Sequence, residues 1–274
     1  MRTALPRRTA AVAAALALAL AGCSSSTGSG SAASSAPPRT LTVFAAASMT
    51  STFKELGKTF EQQNPGVSVT FNFAGSQALA QQITNGAQAD VFASANQTNM
   101  KTVTDANLAS GPAKVYATNV LEIVVPKGNP AGIASFQDLA KPDLKLVICA
   151  ASVPCGAATQ NVEKATGVTL KPVSEEQAVT DVLTKVRSGQ ADAGLVYKTD
   201  VISAGDQVQG VPFPESSKAV NTNYIVALKD APQGELAGEF VDLVLGDAGQ
   251  QVLKKAGFGQ PATASAAASA SKSS

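Results

Sequence analysis

Three turns in this chain place a serine or a glycine between the end of an apolar run and the start of a helical pattern. They are Ala46-Ala47-Ser48, Ala74-Gly75-Ser76 and Pro154-Cys155-Gly156. The first turn of a helix leaves backbone N–H groups unpaired and carries a partial positive charge, so it can bind an anion. A single serine at such a place is more often a simple N-cap. Because three similar turns occur in the same chain, an anion-binding site is as good an interpretation as three separate N-caps.

Catalytic chemistry is poorly supported, because the chain contains no histidine. Without histidine, neither Ser-His-Asp nor Cys-His catalysis is possible, and the commonest metal ligand is missing. An enzyme with Ser48 or Ser76 as nucleophile would need another base, and neither serine begins a Ser-x-x-Lys sequence. We therefore expect a protein that is not an enzyme.

Two of the three cysteines, Cys149 and Cys155, stand six positions apart. In an oxidising compartment such a pair is expected to form a disulfide that closes a short loop. The alternative is a buried Cys149 beside an unpaired Cys155. Two thiols without further ligands nearby do not make a metal site.

The N-terminus predicts where the protein works. Residues 1–22 combine three arginines with an apolar stretch at 10–20, which is shorter than the roughly 20 residues that span a bilayer. Cys23 follows Leu-Ala-Gly, a sequence that resembles the lipobox of bacterial lipoproteins. We expect a signal peptide, cleavage before Cys23 and lipidation of that cysteine. The alternative is an ordinary secretory peptide with an incidental cysteine.

Composition separates a central region from its flanks. Residues 23–39 predict a lipidated cysteine followed by a flexible Ser/Gly/Ala/Pro tether, and residues 261–274 predict a disordered Ala/Ser tail. Residues 40–260 suffice for one large domain or for two lobes with separate cores. The formal net charge of +1 becomes −2 without the three leader arginines, which leaves 18 basic against 20 acidic residues. Because no basic run occurs, we expect no nucleic-acid binding.

Strand-like and helix-like segments alternate through the central region. Apolar strands are predicted at 41–46, 67–73, 90–93, 120–125, 144–150, 193–197 and 224–228. Helices are predicted from Phe53 to Asn64, from Ser76, at 157–165, from near Glu175 and at 234–255. The alternation predicts an α/β fold with a largely parallel sheet. Ligands of such sheets bind beyond the carboxyl ends of the strands, where the three turns lie.

Four segments together resemble the periplasmic molybdate-binding proteins of ABC transporters. They are VFAAAS at 43–48, FAGS at 73–76, ADVFASA at 89–95 and GLVY at 194–197. They occur in the expected order and spacing, and the resemblance covers residues 41–260. It implies a class II periplasmic-binding-protein fold, with two α/β lobes, a hinge and an anion cleft between the lobes. Lobe one would comprise residues 40–119 and 220–260, and lobe two residues 120–219.

The resemblance also implies five oxyanion-binding residues. Ser48 and Ser76 would offer hydroxyl and backbone N–H groups, Cys155 and Val179 a backbone N–H group each, and Tyr197 its hydroxyl. Cys155 departs from a family member that carries alanine there, which a backbone contact tolerates. Taken alone, Val179 would be a core residue of an amphipathic helix and Tyr197 a sheet-packing aromatic. The same five residues would hold molybdate, with no direct ligand to the metal atom and no cofactor.

The implied function is that of an extracytoplasmic, lipid-anchored binding protein. It would capture molybdate or tungstate as a monomer and deliver the anion to an ABC transporter permease. The alternative is a receptor for another tetrahedral oxyanion such as sulfate, and a further class is a purely structural or interaction lipoprotein. None of the five residues is acidic, so hydrogen phosphate would find no acceptor for its proton and is expected to be disfavoured.

Overall fold

A computed structural model describes residues 39–261 of the chain. The predicted signal peptide, the lipidation site Cys23, the tether up to residue 38 and the tail from residue 262 lie outside the described residues. Among the helices of the described part, none has the length and hydrophobicity to cross a membrane.

Ten strands and eight α-helices form within residues 39–261. The strands are β1 (Arg39–Ala46), β2 (Val67–Ala74), β3 (Val91–Ser94), β4 (Lys114–Asn119), β5 (Leu121–Pro126), β6 (Leu146–Cys149), β7 (Ser174–Glu176), β8 (Ala193–Tyr197), β9 (Val208–Val211) and β10 (Asn221–Ala227). The helices are α1 (Thr50–Gln63), α2 (Ser76–Thr84), α3 (Gln97–Asp105), α4 (Pro154–Thr166), α5 (Val179–Arg187), α6 (Lys198–Ala204), α7 (Gly234–Leu245) and α8 (Asp247–Lys255). Short 3₁₀ helices cover Ala47–Met49, Gln137–Ala140, Gly205–Gln207 and Pro214–Ala219.

The strands form two five-stranded sheets. The first sheet has the order β2-β1-β3-β10-β4, and the second has the order β7-β6-β8-β5-β9. The predicted α/β fold is confirmed, but the sheets are mixed rather than largely parallel, because β10 and β5 run antiparallel to both of their neighbours. Parallel pairing requires a crossover connection within one sheet. Instead, β5 of the second sheet directly follows β4 of the first, and β10 of the first sheet follows β9 of the second.

Each sheet has its own hydrophobic core. On one face of the first sheet, the ring of Phe240 meets those of Phe53 and Phe60 at centroid distances of 5.9 and 5.4 Å, in edge-to-face arrangements. The second sheet packs against α5 through the buried Val182 and Val186. Burial of such side chains is the main favourable contribution to folding. Each sheet is therefore stabilised by its own core, and each can hold its part of a site that lies between the two sheets.

Two predicted helices differ from the structure. α5 begins at Val179 rather than near Glu175, because residues 174–176 form β7 and pair with β6. The predicted final helix over 234–255 is two helices, since Gly246 leaves the helical conformation with φ −74° and ψ 172°. Five short elements, β4, β7, β9, α3 and α6, are not predicted from the sequence.

Candidate anion-binding site

A small cavity lies between the two sheets, and all five predicted site residues line it. Its lining residues are Ala46, Ala47, Ser48, Ala74, Gly75, Ser76, Ala95, Val153, Pro154, Cys155, Val179 and Tyr197. The volume open to the centre of a water molecule is about 10 Å³. This volume is far below that of pockets for drug-sized molecules, so the cavity suits a ligand of only a few heavy atoms.

Three α-helices and one 3₁₀ helix begin at this cavity. α2 starts at Ser76, α4 at Pro154 and α5 at Val179, and the 3₁₀ helix starts at Ala47. The first N–H groups of a helix have no partner within the helix, and its N-terminus carries a partial positive charge. None of the described residues that line the cavity carries a formal charge. The cavity is therefore electropositive through backbone groups alone, which favours an anion.

The two predicted serines reach the cavity from the first sheet. Ser48 lies in the 3₁₀ helix between β1 and α1 and is 8% exposed. Ser76 is fully buried at the start of α2, and its Oγ accepts a hydrogen bond of 3.0 Å from the Ala95 N–H. Because one lone pair of Ser76 is engaged by that N–H group, its own proton is left for another acceptor.

Tyr197 reaches the same cavity from the end of β8 in the second sheet. Its Oη lies 2.5 Å from the Nδ2 of Asn221, which also donates to the Ala95 carbonyl at 2.8 Å. Burial, together with the nearby Asp200 carboxylate, raises the pKa of Tyr197 well above 10. The phenol therefore keeps its proton at neutral pH and acts as a hydrogen-bond donor.

Asp200 supports Tyr197 from the first turn of α6. Its Oδ2 accepts a hydrogen bond of 2.9 Å from the backbone N–H of Tyr197. Burial raises the pKa of this carboxyl to about 7, against the smaller opposing effect of that N–H group. Asp200 is not among the residues that line the cavity.

A disulfide joins Cys149 at the end of β6 to Cys155 in the first turn of α4, with the Cα atoms 5.7 Å apart. The expected pair is thus present, and the alternative with an unpaired Cys155 is not. The loop between them is tight, since a Cβ atom on Gly156 would lie 2.0 Å from the Ala150 carbonyl oxygen. Within residues 39–261, no group of three His, Cys, Asp or Glu residues could hold a metal ion.

The start of α2 and the turn before α5 touch across the cleft. Gln77 Nε2 donates to the Gln177 carbonyl at 2.9 Å. A Cβ atom on Gly75 would lie 2.2 Å from the same carbonyl oxygen. These contacts show the two sheets closed on each other beside the cavity.

Sequence reasoning missed Ala95, Asn221, Gln77 and Gln177 as parts of the site. Ala95 ends one of the segments that carry the resemblance, so its place in the motif was a usable signal. Asn221 could have been noticed as an amide at the entry of an apolar strand, because a buried amide needs partners. Nothing in the sequence around Gln177 indicated a role in the site, since its carbonyl joins the site only because the first sheet approaches it.

Comparison with known proteins gives consistent results over the described region. The family model for bacterial extracellular solute-binding proteins matches residues 41–259. The molybdate-binding protein of Mycobacterium tuberculosis is 51% identical over 223 residues, which cover 81% of this chain and 85% of that relative. The substrate-binding domain of a molybdenum ABC transporter from Clostridium difficile has a TM-score of 0.60 at 26% identity, over 81% of this chain and 99% of its own. The periplasmic molybdate-binding protein of Azotobacter vinelandii has the same fold, with a TM-score of 0.72 at 24% identity over 81% and 99% of the two chains.

Proposed function

Since this chain belongs to the family of bacterial extracellular solute-binding proteins, we propose that it captures molybdate outside the cytoplasm and delivers it to an ABC transporter permease. The observation that carries this proposal is the small uncharged cavity, where helix N-termini and hydroxyl groups from both sheets converge. The name of the 51% identical relative supports molybdate as the ligand. Binding and release need no cofactor and no bond chemistry, so the proposed function includes no catalytic step.

The donors around the cavity suit molybdate. Ser48, Ser76 and Tyr197 would donate through hydroxyl groups, and Cys155 and Val179 through backbone N–H groups. Molybdate is fully deprotonated at neutral pH, so all its oxygens can accept hydrogen bonds. Hydrogen phosphate keeps a proton that would need an acceptor, and an unpaired buried donor costs about 1–3 kcal/mol.

Ligand size decides among the fully deprotonated anions. Tungstate is nearly isosteric with molybdate and should bind in the same way. Sulfate has the same charge and shape but shorter bonds to oxygen, so fewer donors would reach it at hydrogen-bond distance. Sulfate is therefore the competing ligand that any test must include.

Closure around the anion would involve the two predicted lobes. Residues 40–119 with 220–260 carry the first sheet, and residues 120–219 carry the second. The chain passes between the sheets at Val120, which separates β4 from β5, and again before β10. These two passages are the proposed hinge, and closure would present both lobes together to the permease.

Calorimetric titration of the mature protein tests the function. We expect tight, stoichiometric binding of molybdate and tungstate, with sulfate and hydrogen phosphate weaker by at least about 100-fold, as roughly two lost or unpaired hydrogen bonds would cause. The double variant Ser48→Ala, Ser76→Ala should bind none of them. Ser110→Ala, whose exposed hydroxyl bonds the Ala227 carbonyl outside the cavity, is the matched control. Tight sulfate binding without molybdate binding would refute the proposal, and a structural lipoprotein would bind no anion.

We also propose that Cys23 anchors the monomeric protein to the cell membrane through a lipid. The lipobox-like sequence before Cys23 supports this proposal. The variant Cys23→Ala should appear in the soluble extracytoplasmic fraction, while the unchanged protein should sediment with membranes. Equal distributions of the two proteins would argue for an ordinary secretory peptide.

A further inference from the structure

A chain of hydrogen bonds connects two hydroxyl groups that reach the cavity from opposite sheets. The Ala95 N–H donates to Ser76 Oγ at 3.0 Å, and the Ala95 carbonyl accepts from Asn221 Nδ2 at 2.8 Å. The same Nδ2 donates to Tyr197 Oη at 2.5 Å. We call these three bonds the Ala95–Asn221 relay. Ser76, Asn221 and Tyr197 are all buried, so water does not readily replace these partners.

The Ala95 carbonyl fixes the orientation of the Asn221 amide. A backbone carbonyl can only accept, so the amide must turn its NH₂ group and not its oxygen toward Ala95. That NH₂ group also faces Tyr197, and both of its protons are thereby used. Tyr197 Oη must consequently accept from Asn221, and its own proton is directed to another partner. Tyr197 lines the cavity, so a ligand in the cavity can accept that proton.

The Ala95 N–H has a weaker effect on Ser76, because it engages one of the two lone pairs of that hydroxyl. The proton of the Ser76 hydroxyl is then available to a cavity ligand. The backbone of one residue after β3, Ala95, thus contacts Ser76 directly and Tyr197 through Asn221. Without it, either hydroxyl could rotate and present a lone pair to the ligand.

We propose that Asn221, held by the Ala95 carbonyl, is a positioning group that keeps Tyr197 as a donor to the cavity, while the Ala95 N–H favours the same role for Ser76. The site thereby selects a tetrahedral oxyanion without protons over one that retains a proton. This inference rests on the proposed function of oxyanion capture and adds the cause of its selectivity. Asn221 does not line the cavity and acts on the anion through Tyr197.

A double-mutant cycle on molybdate affinity tests whether Asn221 acts through Tyr197. Asn221→Leu removes the amide at similar volume, and Tyr197→Phe removes the hydroxyl. Each single variant should raise the Kd for molybdate by about 10- to 100-fold, as for one hydrogen bond to a charged group. The double variant should be no weaker than Tyr197→Phe alone, because no hydroxyl remains to be oriented.

Asn119→Leu is the matched control. Asn119 Nδ2 donates to Thr199 Oγ1 at 2.8 Å, which is another buried amide–hydroxyl bond between the sheets, but neither residue lines the cavity. Asn119→Leu should change the Kd for molybdate by the same factor in the presence and in the absence of Tyr197→Phe. If Asn221→Leu is also additive with Tyr197→Phe, or leaves the affinity unchanged, the inference is overturned.

Selectivity provides a readout that a purely structural role would not move. In Asn221→Leu the Tyr197 hydroxyl can turn and accept a proton, so the preference for molybdate over hydrogen phosphate should fall by at least about 10-fold at pH 8. An equal loss of affinity for both anions would contradict the inference. Asn221→Asp serves if the leucine variant does not fold. Its carboxylate accepts from Tyr197 and should weaken molybdate binding at least as much as Tyr197→Phe.

The outcomes also separate this inference from the function on which it rests. If the unchanged protein does not bind molybdate, the proposed function fails before the cycle begins. If it binds molybdate and the cycle is additive, the function stands and the relay does not set selectivity.

Discussion

At the scale of single residues, Asp200 makes stability depend on pH. Burial raises the pKa of its carboxyl from 3.8 to about 7 in the folded protein. Between these two values the folded state binds more protons than the unfolded state, so the free energy of unfolding falls as the pH rises through this window. The buried Asp200 side chain therefore lowers the free energy of unfolding least below pH 4 and most above pH 7.

The variant Asp200→Asn should remove this dependence. Its amide oxygen can still accept from the Tyr197 N–H, but the group no longer titrates. We expect its free energy of unfolding to exceed that of the unchanged protein by up to roughly 4 kcal/mol at pH 8 and to match it near pH 4. Urea unfolding at both pH values measures the difference. A gap of the same size at both pH values would show that ionisation of Asp200 is not its cause.

At the scale of elements, the disulfide fixes the start of α4 against the end of β6. Replacing both cysteines in Cys149→Ala, Cys155→Ala removes a constraint on the unfolded chain. For so short a loop this should lower the free energy of unfolding by about 2 kcal/mol. It should also weaken molybdate binding several-fold, because the Cys155 N–H becomes less well ordered before binding.

Unfolding in urea and calorimetric titration measure these two effects. A reducing agent should bring the unchanged protein toward the double variant and leave the variant itself unaffected. If the variant keeps full affinity, the backbone bond from the Val153 N–H to the Ala150 carbonyl is enough to hold the loop.

The elements that the sequence predicts are those with a strong local signal. β1, β2 and β8 are apolar or alternating runs, and Ser76 stands where a helix-start signal places it. β7 is Ser-Glu-Glu and has no such signal, because its extended conformation depends on pairing with β6. That pairing moves the start of α5 to Val179.

The residues of the candidate site also divide into those that the sequence predicts and those that it does not. Ser48, Ser76 and Tyr197 lie in motif segments that are continuous in the sequence, whereas Cys155 and Val179 follow only from their positions in the resemblance. The role of all five as ligands is still a prediction. Asn221 lies 24 positions from Tyr197 and 126 from Ala95. The pairing of β10 with β3 brings it to Ala95, and the approach of the second sheet brings it to Tyr197. No local pattern could have indicated either contact.

At the scale of the whole molecule, Gly75 allows the two sheets to close on each other because it has no side chain. Its φ of −58° suits any residue, so alanine would not strain the backbone, although its Cβ atom would displace the Gln77 amide, whose Oε1 would lie 2.4 Å away. The same Cβ atom would also lie 2.2 Å from the Gln177 carbonyl across the cleft. Gly75→Ala should therefore hold the lobes apart and weaken molybdate binding at least about 10-fold, with little change in the free energy of unfolding.

Small-angle X-ray scattering at saturating molybdate should show a larger radius of gyration for Gly75→Ala than for the unchanged protein. Gly238→Ala is the control, since a Cβ atom there meets nothing within 4 Å. Equal radii and equal affinities for both variants would mean that the cleft adapts to the added methyl group.

The position of β10 has a consequence for biosynthesis. It pairs with both β3 and β4, yet among the strands of residues 39–261 it is the last to be synthesised. A nascent chain therefore carries β3 and β4 with unpaired edges until about residue 227 has been made, while all strands of the second sheet are already complete. Unpaired edges are where chains aggregate, and pairing between residues distant in sequence is slow. The chain is thus most exposed to aggregation until β10 has been made and has paired with β3 and β4.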